Sequence, residues 1–437
     1  MPENLLSAGV HRAIINPPKG IYLIGYGDRA KGNIGVHDDL TATALVFDNG
    51  RKKLALVACD LLCLNEYIVD RIRAVAGGKI EVLICCSHTH SGPIGYADQR
   101  SGHRERVFID NLVEKIGNAV KEAAATVQPA RISWAQSTAD IAVNRREKLE
   151  DGKMIIGENP NGIADRSVLI LSVMGLDGKR LATLVNFACH GTVFGPDNLL
   201  VSADWIGVMR ARVEKALGGK TLFLQGATGD LNPKMGWGRE DCWQMVVEQG
   251  ERVAEVVIAA CQGTQKPLKG TELDLARREI WLPFEEKAET PTPPTIYRKR
   301  ILAMANLPEW LSFLTDFLLN IRYPWKSRLE TRDGFWATPL RINAVRIDHF
   351  SLVTFGCETF TGIGMKVKDN VPGGFIMFAS ITDGCIGYLP TDEAHAEGGY
   401  EVDLAPYAYR FPGPLAIGAE GKALAAAREA LNEIGKK

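Results

Sequence analysis

The run Val82-Leu83-Ile84-Cys85-Cys86, followed by Ser87-His88-Thr89-His90-Ser91-Gly92-Pro93, constrains this chain more than any other stretch. Uncharged apolar residues bounded by a Gly-Pro pair read as a buried strand that stops there. Side chains two apart on a strand share a face, so His88 and His90 leave the strand tip side by side. Two imidazoles so placed suit a metal, zinc above all, with hydrogen-bonded loop histidines as the plainer alternative.

With 437 residues the chain can bury a large core. A formal net charge of -1 and the lack of a basic stripe exclude recruitment of nucleic acid by a global field. No stretch of about 18 uncharged apolar residues occurs, so no transmembrane segment is expected. Nine cysteines, including the pair Cys85-Cys86, lie mostly in apolar runs rather than in spaced CxxC pairs. Reduced, buried thiols follow, and with them the expectation of a cytoplasmic protein. The opening Met1-Pro2-Glu3-Asn4, lacking a basic and then apolar leader, supports the same expectation.

Three segments repeat one plan of apolar strand, polar tip, helix, second strand and second polar tip. The first runs from Leu54–Cys59 and Asp60 through a helix near Glu66 to Ala76, ending at His88 and His90. The second runs from Thr183–Cys189 and His190 through a helix near Asp204 to Leu217, and Thr221–Leu224 leads to Gln225, Asp230 and Asn232. The third runs from Ser351–Cys357 and Glu358 through a short helix near Phe360 to Val367, and Phe375–Ala379 leads to Asp383 and Tyr388. Such units imply parallel neighbours joined by right-handed crossovers. The expected fold is therefore α/β: a mixed, largely parallel sheet with helices outside and the site at the strand carboxyl ends.

Amphipathic helices are expected at Phe108 to Thr126, at Cys242 to Cys261 and within Leu415 to Ile434. Residues 284 to 297, rich in Glu, Pro and Thr, read as a surface linker. The aromatic, apolar segment 307 to 326 reads as a helix packed on the core, or as an apolar lid or surface for peripheral lipid contact.

His88, His190 and Glu358 each come from a different unit, and a catalytic zinc needs about three protein ligands and an open position. Glu358 ends a strand otherwise free of charge, where a carboxylate needs a cation, a donor or a metal; a helix N-cap is the alternative. For His190 the alternative is a core histidine bonded to backbone. In Gln225-Gly226-Ala227-Thr228-Gly229-Asp230-Leu231-Asn232-Pro233 glycines let backbone approach a ligand, yet no Gly-Lys-Ser/Thr follows, so this is not a phosphate loop. Asp230 could hold a histidine tautomer or form an Asx turn, and Asp204 reads as an N-cap. Asp60, Asp204 and Asp230 could instead bind a second divalent ion, as in two-metal hydrolases of phosphoesters or peptides.

The chain resembles the catalytic domain of neutral ceramidases, zinc amidases that release a fatty acid from N-acylsphingosine. The residues that carry the resemblance begin at Gly9-Val10-His11-Arg12-Ala13, Pro17-Pro18, Gly25-Tyr26-Gly27 and His37. They continue with Ala58-Cys59-Asp60, His88–Pro93, Asn144-Arg145 and Asn186-Phe187-Ala188-Cys189-His190. Gly229–Pro233, Gly356-Cys357-Glu358 and Gly387-Tyr388 complete the series. The resemblance implies one zinc held by His88, His190, Glu358 and Tyr388, with His90 moving the proton and Arg145 contacting substrate. The implied substrate is a small-molecule or lipid-like N-acyl compound.

Two departures shape the expectation. Ceramidases carry a serine where this chain has Asn232, whose amide cannot act as a hydroxyl nucleophile but can donate to an oxyanion. Residues 1 to 437 are expected to form a single ceramidase-like catalytic domain without the family's immunoglobulin-like C-terminal domain. The reaction expected is amide hydrolysis with a zinc-activated water, with Arg145 and Asn232 on the oxyanion. A metal-dependent binding protein without turnover is the non-enzyme alternative.

Overall fold

Short reversing turns decide much of the architecture. Asn49-Gly50, Asp177-Gly178 and Asp348-His349 each send the chain back beside the strand just completed, which produces antiparallel neighbours. The computed structural model describes residues 5–27, 29, 31–93, 95, 102–288, 308, 328–369 and 375–435. In chain order the first elements are β1 (Ser7–Ile14), β2 (Gly35–Val36), β3 (Thr41–Asp48), β4 (Lys53–Cys59), α1 (Glu66–Ala76), β5 (Glu81–Cys86) and α2 (His103–Ala125). Next come β6 (Gln128–Thr138), β7 (Ala142–Lys148), β8 (Met154–Asn159), β9 (Ser167–Gly175), β10 (Arg180–Phe187), β11 (Leu200–Val201), α3 (Asp204–Leu217), β12 (Lys220–Gln225), β13 (Leu231–Pro233) and α4 (Cys242–Gln262). They are followed by β14 (Lys266–Leu268), β15 (Leu273–Lys287), β16 (Glu330–Arg332), β17 (Phe335–Ile347), β18 (Phe350–Phe355), β19 (Glu358–Thr359), α5 (Thr361–Lys368), β20 (Phe375–Ala379) and β21 (Tyr388–Leu389). The chain then forms α6 (Asp392–Glu397), a π-helical turn over Tyr400–Leu404, α7 (Ala405–Ala408) and α8 (Ala419–Gly435).

Two large sheets result. One has nine strands in the order β12-β10-β9-β6-β1-β3-β4-β5 with β14 beside β6. The other has five, β15-β17-β18-β20 with β16 beside β17. Their facing sides share one apolar layer, in which Leu45, Leu56, Leu83, Leu171 and Leu184 of the first sheet meet Val345, Leu352 and Met377 of the second. Helices cover the outer sides: α1 and α2 pack on the β3–β5 region, α3 and α4 on β9, β10 and β12, and α5 and α8 on the five-stranded sheet. The layers thus run helix, sheet, sheet, helix, and alternate strand residues serve the two faces.

The pairs β4–β5, β10–β12 and β18–β20 are parallel, each joined through one helix. The expectation of one largely parallel sheet does not hold. The pairings β1–β3, β3–β4, β6–β9, β9–β10, β15–β17 and β17–β18 are all antiparallel. In the two large sheets antiparallel pairings outnumber the three parallel ones, because a parallel neighbour requires a crossover whereas a hairpin or a longer returning connection gives an antiparallel one. The linker expected from residue 284 starts later, because β15 continues to Lys287. The apolar segment 307 to 326 lies outside the described residues except for Pro308.

The three crossover pairs aim their carboxyl ends at one place. His88 and His90 follow β5, His190 follows β10, and Glu358 follows β18. A parallel bridge at Thr89 and Gly191 ties the first two loops together. Parallel pairing of β19 with β21 sets Glu358 beside Tyr388.

Candidate metal and amide-cleavage site

His88 reaches the centre of the molecule because its backbone is left-handed, with φ 63°. Such a conformation in a non-glycine residue is costly and concentrates at functional sites. Its Nδ1–H donates to the Leu62 carbonyl at 2.8 Å, and its Nε2 lies 3.1 Å from Oε2 of Glu358. His190 repeats the arrangement: Nδ1–H donates to the Leu231 carbonyl at 2.8 Å, and Nε2 lies 3.4 Å from the same glutamate oxygen. The carbonyl acceptors set both tautomers, so each Nε2 presents a lone pair. The His90 ring closes the group, its centroid 4.9 Å from that of His88 and 5.5 Å from that of His190. The ligand atoms of the three histidines lie within 4.8 Å of one another.

Burial pushes His190 down to about 4, with Arg145 and His88 adding to the effect. It is neutral near pH 7. Burial likewise holds His90 well below the usual histidine range, reinforced by its two histidine neighbours. Burial opposes ionisation of Glu358; a proton on His88 or His190 outweighs that and holds the carboxyl well below its ordinary range, and with both rings neutral only a cation between them can do the same. Two imidazole lone pairs and one carboxylate oxygen thus converge inside the protein, all on buried residues. Such a cluster is costly unless a cation completes it. His190 Nε2 and both ring nitrogens of His90 are buried without a hydrogen-bond partner among the described residues. The residues present therefore fit a divalent metal.

Arg145 lies beside this group and is 4% exposed. Its Nη2 donates to the Tyr388 hydroxyl at 3.0 Å, its Nη1 to Asn232 Oδ1 at 3.3 Å, and its Nε to Glu401 Oε1 at 2.8 Å. Burial raises the Tyr388 hydroxyl well above its usual range, with Arg145 opposing. Asn232 turns its amide hydrogens towards Met235 Sδ at 3.4 Å, so it is the carbonyl that faces Arg145. Glu358 is not a helix cap, since that position before α5 belongs to Phe360.

Asp230 does not orient a histidine. Its carboxylate accepts from Thr361 N at 2.7 Å, Thr361 Oγ1 at 2.8 Å and Asn144 Nδ2 at 3.2 Å, which pins the start of α5 to the glycine-rich loop. Asp60 accepts from Thr41 and Arg210. Asp204, itself at φ 58°, accepts from the backbone of Val193, Phe194 and Trp205 and is not the N-cap, a place held by Ala203. With their oxygens so engaged, these aspartates form no second metal group among the described residues.

Gly25 packs on His90. At φ +110° it occupies backbone space that favours glycine, and a Cβ there would sit 2.5 Å from His90 Nδ1. Two site residues escaped sequence reasoning. Tyr409 donates its hydroxyl hydrogen to Glu358 Oε1, and Glu401 accepts from both Arg145 and Arg146. Both lie in segments without a motif, and the one signal for Glu401 was an acid beside an apolar residue in Tyr400-Glu401-Val402.

Comparison with known proteins gives a family and a fold for this chain. A family model described as "Neutral/alkaline non-lysosomal ceramidase, N-terminal" matches residues 8–271, more than half of the chain. The chain is 26% identical over 243 residues to a neutral ceramidase of Mycobacterium tuberculosis, a match covering 49% of this chain and 38% of that protein. It is 24% identical over 258 residues to neutral ceramidase B of Dictyostelium discoideum, covering 52% and 35%. The matched region thus spans well under half the length of these curated relatives. The crystal structure of neutral ceramidase from Pseudomonas aeruginosa superposes with a TM-score of 0.74 at 19% identity, covering 99% of this chain and 75% of that one. A ceramidase structure described as complexed with C2 gives 0.74 at 18% identity, covering 98% and 75%. That likeness concerns the fold. On the family match, the chain belongs to the neutral/alkaline non-lysosomal ceramidase family.

Proposed function

We propose that this chain is a zinc-dependent amidohydrolase that cleaves the amide bond of an N-acyl, ceramide-like substrate. The observation that carries the reading is the convergence of His88 Nε2 and His190 Nε2 on one buried oxygen of Glu358, beside His90. Two imidazoles and a carboxylate are a donor set suited to zinc, and family likeness adds Tyr388 as a fourth donor. When bound, zinc supplies Lewis acidity for the scissile carbonyl and makes water acidic enough to attack near neutral pH.

The chain's own residues supply the rest. His90, whose ring nitrogens have no partner among the described residues, takes the proton from the attacking water and delivers it to the departing nitrogen. Arg145 offers N–H groups where negative charge grows on the carbonyl oxygen. Asn232 holds Arg145 through its carbonyl, and Asp230 holds the loop carrying Asn232 against α5. The layers around the site act as one catalytic unit. All nine cysteines are unpaired, which supports a reducing compartment such as the cytoplasm. Among the described residues, no helix is long and apolar enough to cross a membrane.

The test pairs metal analysis with hydrolysis of a panel of N-acyl compounds, for the wild-type chain and His88→Ala. The expected result is one zinc per chain and amide cleavage in the wild type, with both lost in the variant. Stoichiometric zinc without cleavage of any amide or ester would leave a metal-dependent binding protein and overturn the hydrolase.

A further inference from the structure

We propose that Glu401 is the positioning residue for Arg145, fixing the plane of its guanidinium against Tyr388 and Asn232. The catalytic part of this inference rests on the amide hydrolysis proposed above. Arg145 and Arg146 are neighbours on β7, where successive side chains should point to opposite faces. Both nevertheless end on Glu401: Arg145 Nε donates to Oε1 at 2.8 Å and Arg146 Nη1 to Oε2 at 2.9 Å. The β7–β8 register shifts between Asn144 and Arg146, and such an irregularity re-aims a side chain.

The three groups are buried, at 4% for Arg145, 6% for Arg146 and 2% for Glu401. Arg146 also donates to the Gly398 carbonyl at 2.8 Å and to Glu397 at 3.1 Å, which ties down the segment that delivers Glu401. Glu401 itself lies on the π-helical turn Tyr400–Leu404, a geometry that recurs at functional sites. A guanidinium is rigid and planar. Once Nε is fixed on a carboxylate oxygen, the directions of Nη1 and Nη2 follow, and these are the atoms that reach Asn232 and Tyr388. Without Glu401, two buried cations would lose their shared counter-charge and Arg145 could turn about its side chain.

The experiment compares Glu401→Gln with wild type in the zinc-loaded full chain. Zinc content, read at saturating metal on the samples used for turnover, is expected to stay at one per chain, although the affinity falls as Tyr388 loses a donor. KM should hold within about threefold while kcat falls about 10- to 100-fold. In the Arg145→Ala background the same change should leave kcat unaltered, because the group it acts through is gone. A crystal structure of Glu401→Gln should show the guanidinium off Tyr388 and Asn232. That readout stands even if no amide is cleaved by wild type, an outcome that would count against the proposed reaction alone. Glu401→Asp keeps the charge with a shorter arm, and it serves if the amide variant fails to fold. It should shift Arg145 and lower kcat by a smaller factor. An undisturbed Arg145 in either variant, kcat within twofold of wild type, or a loss of kcat matched by a loss of zinc overturns the proposal.

Discussion

Tyr409 donates its hydroxyl hydrogen to Oε1 of Glu358, leaving Oε2 to face His88 and His190. The two carboxylate oxygens thus have separate duties, one anchored and one presented. An outer hydrogen bond of this kind orients a ligand, and its removal typically weakens metal affinity about 10- to 100-fold. Tyr409→Phe deletes the donor and keeps the ring among Tyr388 and Phe411. Competition with a chromophoric chelator should show that weakening with the fold intact. Unchanged zinc affinity would mean that the hydroxyl only fills space.

His88 and His90 share a strand tip but not a bonding pattern. His88 is held at Nδ1 by Leu62 and turns its Nε2 to Glu358, whereas neither nitrogen of His90 has a hydrogen-bond partner among the described residues. His88→Ala is therefore expected to lose zinc. His90→Asn should keep close to one zinc per chain while kcat falls about 100- to 10,000-fold, the usual scale for a missing proton-transfer group. The check is metal content and turnover on the same samples. Loss of zinc in His90→Asn would make His90 a ligand instead of the proton carrier.

Much of the site was legible because its histidines and Glu358 end uncharged apolar runs, where a polar residue stands out. The helices of the three crossovers were legible for the same reason, and α1 matches the expected Glu66 to Ala76. Strand direction was harder to read. β15, Leu273–Lys287, carries charges along much of its length because one side is partly exposed, so its last residues looked like a linker. Its antiparallel partner β17 begins at Phe335, far along the chain from the end of β15 at Lys287. Tyr409 and Glu401 were not legible because their partners, Glu358 and Arg145, are 51 and 256 residues away. Asp230 misled because a carboxylate in a glycine-rich loop near a histidine invites a catalytic role, whereas backbone carbonyls orient both rings.

Gly25 offers a sharp test of how tightly His90 is held. Gly25→Ala combines an unfavourable φ with a Cβ 2.5 Å from the imidazole, so the ring must move. Gly50→Ala is the control: its φ is +80°, yet nothing lies within 4 Å of the added Cβ. Both variants should lose about 1–3 kcal/mol of stability from backbone strain. Only Gly25→Ala should also lose turnover, by about 100-fold, the order expected for a displacement near 1 Å. Equal activity in the two variants would show that His90 tolerates displacement.

Glu66 gives the fold a pH dependence separate from the metal group. It opens α1, is half-buried, and packs near Gly384. Burial pushes its carboxyl up to about 6; Arg341 and Arg328 pull it down, and Glu279 and Asp70 push it further up. The unfolded chain has an ordinary glutamate, near about 4.3. Because the folded-state value is the higher one, the folded protein holds the proton more tightly, and stability from this group falls as pH rises from about 4.3 through about 6. Ionised Glu66 is thus a net cost at neutral pH, on the order of 1 kcal/mol after allowing for its partial exposure. Glu66→Gln should match wild type near pH 4.5 and exceed it by about that amount at pH 8, as read from denaturant unfolding at the two pH values. A stability difference that does not change with pH would show that burial of this carboxyl carries no protonation cost.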